Sequence, residues 1–507
     1  MKNLLIVFAL LLATGAVAQS AKKLNKSAAV ITAADLKSKL SIIAGAEMEG
    51  RETATPGQKK AAAFIENYFK SLGLQPGMPD GSYQMQFTVY QDSLSAASVT
   101  VGGKILKAGV DYTFNPMVLA AGQWTGDTVV FAGFGLVDSL HNDYKDLPIK
   151  GNWVLIAEGK SEDADKPAGT VAYSFRDPAS LYQKMMQARN NGAKGVFVIS
   201  KELNAKNVAG LKGNMYMKKP GAAAMPVVNI SYTTAASMIG AAVPSFAAIK
   251  SAAPGAYASS FALSAEISTN TLQSSNVIAV LPGTSKKDEY VFITGHYDHL
   301  GKRDSVIYYG ADDDGSGTTS VLELAEAFTK AKKKGLSCAR SIVFMTVSGE
   351  EKGLWGSEYY AAHPVFPLNR TSVDLNIDMV GRIDPDRKYG DSTNYVYTIG
   401  EDKLSSDLLP ISDSINSKYM HMELDRKYND PKDPNRFYYR SDHYNFAKNG
   451  VPVIFYFNGT HADYHRPTDT VDKINFNLME KRVRLVFYTA YDMANRAAML
   501  KRDIPLK

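Results

Sequence analysis

The sequence predicts an α/β fold in which one twisted sheet is covered by helices on both faces. Three observations point there. Continuous apolar runs recur through the C-terminal half (NVIAVLPG, YVFITG, RSIVFMTVSG, VDLNIDMVG, YVYTIG and VPVIFYFNG), as strands buried on both sides require. Helical periodicity lies between them: in SVLELAEAFTKAKKKG, Val321, Leu322, Leu324, Ala325 and Phe328 share one face, with Ser316 or Thr318 placed to cap its start. Four of the strands end in histidine or carboxylate residues, at the carboxyl ends where open α/β sheets gather function.

Taken in order, residues 1–18 read as a signal peptide. Lys2 precedes an apolar core from Leu4 to Ala13, and Ala16-Val17-Ala18 offers a small-x-small cleavage site. That run is shorter than the roughly 20 residues a membrane span needs, and no cysteine near the cleavage point provides for a lipid anchor. A secreted or periplasmic protein without a membrane anchor is expected. Residues 19–115 begin with a loose leader, AKKLNKSAAV, and continue into a helix over GQKKAAAFIENYFKSLGL that Gly73 ends. Between 116 and 265 shorter apolar runs alternate with a helix-like SLYQKMMQARNNG, a texture that reads as a separate mixed α/β insert without chemistry of its own. In it His141 reads as a loop residue. Residues 266–507 hold the main sheet.

Composition narrows the function. Hydrophobic residues make up 45% and charged residues 21%, and 57 basic against 51 acidic side chains leave a net charge of +6. The densest basic run, KAKKK before Gly335, is a helix end with cations on the C-terminal dipole, so no nucleic-acid partner is expected. Cys338 is the only cysteine, which rules out an internal disulfide and a thiolate metal site.

Oxygen and nitrogen ligands remain. YVFITG runs into His296-Tyr297-Asp298, IVFMTVSG into Glu350-Glu351, DLNIDM holds Asp378, and VPVIFYFNG leads to His461 and His465; the acidic loop GADDDGSG opens a helix. Two imidazoles with three carboxylates (His296, His465, Asp313, Glu351 and Asp378) suit zinc. Five ligands are too many for one four-coordinate ion with an open position, and suit two ions about 3.5–4 Å apart sharing one carboxylate. Two divalent cations and one hydroxide would also balance the three carboxylates. Adjacent side chains on extended backbone point to opposite sides, so one of Glu350 and Glu351 can ligate while the other stays free.

HYD, GADDDGSG, SGEE, IDMVG and YHRPTDT, in this order, resemble the co-catalytic di-zinc aminopeptidase family, whose relatives include glutamate carboxypeptidases, glutaminyl cyclases and the transferrin receptor. The resemblance covers Leu40 to Gly73 and about 270 to 500, and the middle segment is similar to a protease-associated domain. It implies a three-layer α/β/α sandwich with a mixed, mostly parallel sheet, and two zinc ions, with cobalt or manganese able to take the same ligands. It implies that His296 and Asp378 hold one ion, Glu351 and His465 the other, and that Asp313 bridges, being three residues before Ser316, often with a cis peptide following. It also implies that Asp298 orients His296, that Glu350 is the general base, and that Tyr439 is a candidate for the tetrahedral oxyanion.

Of the remaining polar residues, Asp442 and His443 read as structural, Asp469 as a cap for the turn after it, and His299 and His461 as loop histidines, while His363 and His421 show no pattern. The expected function is removal of N-terminal residues from peptide substrates. Glutaminyl cyclase chemistry with one zinc, a carboxypeptidase using Arg382 or Arg440 for a free carboxylate, and a non-catalytic receptor are the rivals. An insert that restricts substrate size would make dipeptides better substrates than long peptides, a preference that deleting the insert should abolish.

Overall fold

The computed structural model describes residues 22–139, 141–203, 210–218 and 224–506; the signal-peptide segment 1–18 lies outside them. The chain forms two compact units, one from the described residues up to Thr88 and from Gln273 onward, the other from Val89 to Leu272.

In the first unit, four strands lie side by side and parallel: Arg340–Val347, Lys286–His296, Thr371–Ile377 and Val453–Phe457. The strand Tyr395–Ile399 joins antiparallel to Val453–Phe457, and Val277–Leu281 antiparallel to Arg340–Val347. The sheet is therefore mixed with a parallel centre. Its strands are buried along their length because both faces are covered.

Pleating sorts neighbouring residues onto opposite faces. Val291, Ile293, Ile342 and Phe344 pack into the core beneath helices Ala33–Ile43, Pro56–Leu72, Gly317–Lys333 and Phe476–Asn495. Phe292, Val343, Met345 and Val347 belong to the opposite core, where helices Trp355–Ala362 and His443–Ala447 pack. Phe292 is fully buried, with its ring centroid 5.6 Å from Tyr360 and 5.3 Å from Phe446. Phe292→Ala is expected to cost about 3–5 kcal/mol, measurable as a lower urea midpoint for this unit.

Two local expectations need correction. The leader expected to be loose is helical over 22–28, because Leu24 and Ala28 bury into the first core. Helix Gly317–Lys333 begins after Ser316 without a side-chain cap; the Ser316 hydroxyl donates back to the Asp312 carbonyl instead. Helix Pro56–Leu72 ends at Gly73, in the left-handed region (φ 74°) that favours glycine.

The second unit is also mixed. Gly122–Phe131, Trp153–Ala157, Gly195–Ser200 and Val227–Ser231 run parallel, and Tyr112–Phe114 adds antiparallel to the last. Trp153, Phe197 and Phe261 cluster in its core, with centroids 4.8 to 5.4 Å apart. The division at 89 and 272 differs from the 116 and 265 read from the sequence. Both crossings fall within strands, Gln84–Val101 and Gly255–Leu281, so no turn residue marks them.

Candidate metal centre

Three hydrogen-bonded parallel strands end at the same edge of the first sheet and present the predicted ligands. His296 is the last residue of Lys286–His296, Asp378 follows Thr371–Ile377 directly, and Glu350 and Glu351 begin the turn after Arg340–Val347. Asp313 lies in the tight turn Ala311–Ser316 that opens helix Gly317–Lys333, and the Asp313–Asp314 peptide is cis. His465 comes from the segment beyond Val453–Phe457, with φ 57°.

Asp313 stands between two groups. Its Oδ1 is 3.3 Å from His296 Nε2, which is also 3.7 Å from Asp378 Oδ1 and 3.8 Å from Glu350 Oε2. Its Oδ2 is 3.1 Å from His465 Nε2, which is also 3.1 Å from Glu351 Oε2. His299 joins the second group, with Nδ1 2.8 Å from Glu351 Oε1 and 3.8 Å from Asp313 Oδ2. Two sets of potential donor atoms each fall within 4.8 Å: His296, Glu350 and Asp378, and His299, Asp313 and Glu351.

The donor atoms fit metal ions better than they fit one another. His296 Nε2, both ring nitrogens of His299 and Glu351 Oε1 are buried yet have no aligned hydrogen-bond partner in the protein. Buried polar atoms are rarely left so, and nitrogens and carboxylate oxygens facing a common point suit a hard or borderline divalent cation. The electrostatics show the same crowding. Burial raises the Glu350 carboxyl well above its ordinary range, and the charges of Glu351, Asp378 and Asp442 add to this against the pull of His296. Burial also works against ionised Asp313, but hydrogen bonds from His296 and His465 and the charge of His299 hold it well below that range. His465 is pushed up to about 10: burial opposes its charge, but Asp313 and Glu351 outweigh it.

Supporting groups fix the candidate ligands. The Ser441 hydroxyl donates to Asp378 Oδ2 at 2.6 Å, leaving Oδ1 toward His296. His296 Nδ1 lies 3.1 Å from the backbone carbonyl of Asp298. The Asp298 carboxylate, expected to orient that ring, lies 3.7 Å from Nδ1 and also accepts from the Thr53 hydroxyl (2.7 Å) and the Glu350 amide (3.2 Å). Asp469 does not cap the turn after it; it reaches back to accept from the Asp312 and Asp313 amides at 3.0 and 3.1 Å. Asp469→Ala is therefore expected to weaken metal binding roughly 10–100-fold, as loss of an outer partner does, measured by competition with a chromophoric chelator.

Other residues depart from expectation. Tyr439 is 37% exposed and packs near Tyr444 and under Arg436, away from the small cavity, about 30 Å³, that Asp313, Glu350 and Asp378 line. The tyrosine in that cavity is Tyr464, its ring centroid 4.0 Å from that of His465. Which of several tyrosines in short turns faces a site is not encoded in spacing, although adjacency to His465 was a usable signal. His299 is fully buried beside Glu351, and His461, also buried, approaches Asp312 Oδ2 at 3.1 Å. Asp442 and His443 hold the framework, accepting from the Ser357 hydroxyl (2.5 Å) and meeting the Tyr438 carbonyl (2.8 Å). Arg382 is engaged by Asp463 at 2.9 Å, whereas Arg440 lines the cavity.

Residues 276–490 match the model of peptidase family M28. A probable leucine aminopeptidase of Trichophyton verrucosum is 28% identical over 226 residues, covering 43% of this chain and 57% of the relative. Aminopeptidase YwaD of Bacillus subtilis is 28% identical over 215 residues, covering 42% of this chain and 40% of the relative. The chain thus spans about half the length of these relatives. Among solved structures, a zinc aminopeptidase from Bacillus subtilis shares the fold with a TM-score of 0.55 at 20% identity, over 94% of this chain and 99% of that one. An aminopeptidase from Aneurinibacillus sp. strain AM-1 does so with 0.53 at 22%, over 95% and 98%. The matched stretch 276–490 contains all five candidate ligands, His296, Asp313, Glu351, Asp378 and His465.

Proposed function

We propose that the chain is an exported zinc-dependent aminopeptidase with two ions per chain, in which Val89–Leu272 is a protease-associated insert. The observation that carries the reading is Asp313, whose two oxygens face separate nitrogen and carboxylate groups with Glu350 beside one of them. The names of the relatives, among them zinc aminopeptidases, support the metal and the reaction. Among the described residues no helix is long and apolar enough to cross a membrane.

His296 and Asp378 would hold one ion, Glu351 and His465 the other, with Asp313 shared. Bound zinc supplies a more acidic water and a polarised carbonyl. The chain's own residues do the rest. Ser441 occupies one oxygen of Asp378 and leaves the other facing His296, and the Asp298 carboxylate holds the Glu350 backbone in place. Glu350 accepts the proton of the attacking water and passes it to the departing amine. Met379, Phe437, Phe455 and Phe457 give the small cavity beside Glu350 an apolar wall, against which the side chain of a terminal residue would lie.

The test is hydrolysis of a peptide panel with free, acetylated and amidated termini, with and without a zinc chelator. Cleavage only of peptides with a free amino terminus, lost with chelator and restored by zinc, is expected. Acetylated peptides cleaved as fast as free ones would reject it. One observation favours a second reading: Arg440, in the same cavity, is a cation suited to a substrate carboxylate. A carboxypeptidase would fail on amidated peptides and tolerate acetylated ones.

A further inference from the structure

The unit Val89–Leu272 holds a cavity of about 260 Å³ that this reaction does not use. It lies toward the carboxyl ends of three neighbouring parallel strands: Glu158 and Gly159 follow Trp153–Ala157, Ser200 closes Gly195–Ser200, and Asn229 comes from Val227–Ser231. Open α/β sheets bind ligands there. The volume falls just below the roughly 300–1,000 Å³ of pockets for drug-sized molecules, so a smaller ligand fits.

Two groups in the wall are out of keeping with a packing void. Lys184, from helix Leu181–Asn190, is fully buried. Its amine donates to the carbonyls of Ala157 (2.8 Å) and Gly159, and an ammonium has three hydrogens to give. Burial lowers its pKa to about 7, against the pull of Asp143, Glu158 and Asp177, so a bound anion would restore its charge. Asn229 Oδ1 is buried without a hydrogen-bond partner. One oxygen of Glu158 accepts from the Lys201 amide at 2.9 Å, which leaves the other. Val171, Leu181 and Val198 supply apolar wall.

A buried cation, an orphaned acceptor, a spare carboxylate oxygen and an apolar wall match one small-molecule class. We propose that this cavity binds a free α-amino acid, its carboxylate at Lys184, its ammonium at Asn229 and Glu158, and its side chain against the apolar wall. The inference does not depend on the reaction proposed above.

Calorimetric titration of the full chain with leucine tests it. We expect a binding event that Lys184→Met and Asn229→Leu each weaken about tenfold or more, the size of one charge-assisted hydrogen bond. Both variants should keep the wild-type kcat on a peptide substrate. 4-Methylpentanoate, which lacks the ammonium, and isopentylamine, which lacks the carboxylate, should each bind that site at least about tenfold more weakly. If thermal melting shows that Lys184→Met fails to fold, Val198→Phe replaces it, narrowing the cavity from the strand residue paired with Asn229 while keeping both polar groups in the chain, and should abolish the event. Leucine binding unchanged in the folded variants, no saturable leucine binding at all, or 4-methylpentanoate binding as tightly as leucine would overturn the proposal.

Discussion

Glu350→Gln is expected to lower kcat by about 10²–10⁴ while leaving metal content and KM nearly unchanged. The amide preserves the shape and one hydrogen-bonding oxygen but cannot take up a proton. Burial and the neighbouring Glu351, Asp378 and Asp442 raise the affinity of Glu350 for a proton, a property suited to holding one between bond attack and amine departure. At 1.36 kcal/mol per decade, the loss corresponds to about 3–5 kcal/mol of transition-state stabilisation. Steady-state kinetics beside elemental analysis of the same preparation decide the matter. A variant within a few fold of wild type, fully loaded with metal, would mean that another group moves the proton.

Asp313→Asn should have the other large effect, through the ions themselves. Its two oxygens serve two groups, with His296 on one side and His465 and His299 on the other. An amide offers one good ligand oxygen and no charge, so the neighbouring cations would lose both their link and part of their charge balance. Metal per chain is expected to fall below two, and activity by more than about 100-fold, beyond the upper end of what losing an outer partner costs. Equilibrium dialysis against zinc measures the first and peptide hydrolysis the second. Two tightly held ions with near-normal turnover in this variant would refute the shared-carboxylate reading.

Much of the framework was legible because it depends on residue type and order. Buried apolar runs report strands whatever surrounds them, and the six runs singled out in the C-terminal half all lie in strands of the first sheet. That His296, Glu351 and Asp378 come together followed from sequence, since neighbouring parallel strands must end near one another; the choice of Asp313 as the shared carboxylate rested on the family resemblance. What sequence left open turns on side-chain direction and long-range partners. Side-chain direction separates Tyr439, turned to Tyr444, from Tyr464, turned to the site, and adjacency to His465 is the one local signal that favours the latter. His299 looked like any histidine in a glycine-flanked loop until burial set it against Glu351. Asp469 has the spacing of a turn cap, but its amide partners lie more than 150 residues earlier in the chain.

The residues proposed to hold cations and those that line the small cavity beside them have different origins. His296, Asp378 and the Glu350–Glu351 pair are anchored at or just past the ends of adjoining strands, whose separation is set by backbone hydrogen bonds. Phe437, Arg440, Thr460 and Tyr464 come from connecting turns that no ladder constrains. If the chain is the aminopeptidase proposed, its selectivity can drift by changes in those turns while the metal-binding strand ends stay in register, so swapping residues 437–440 between related chains should alter which terminal residue is removed without altering how the amide bond is broken.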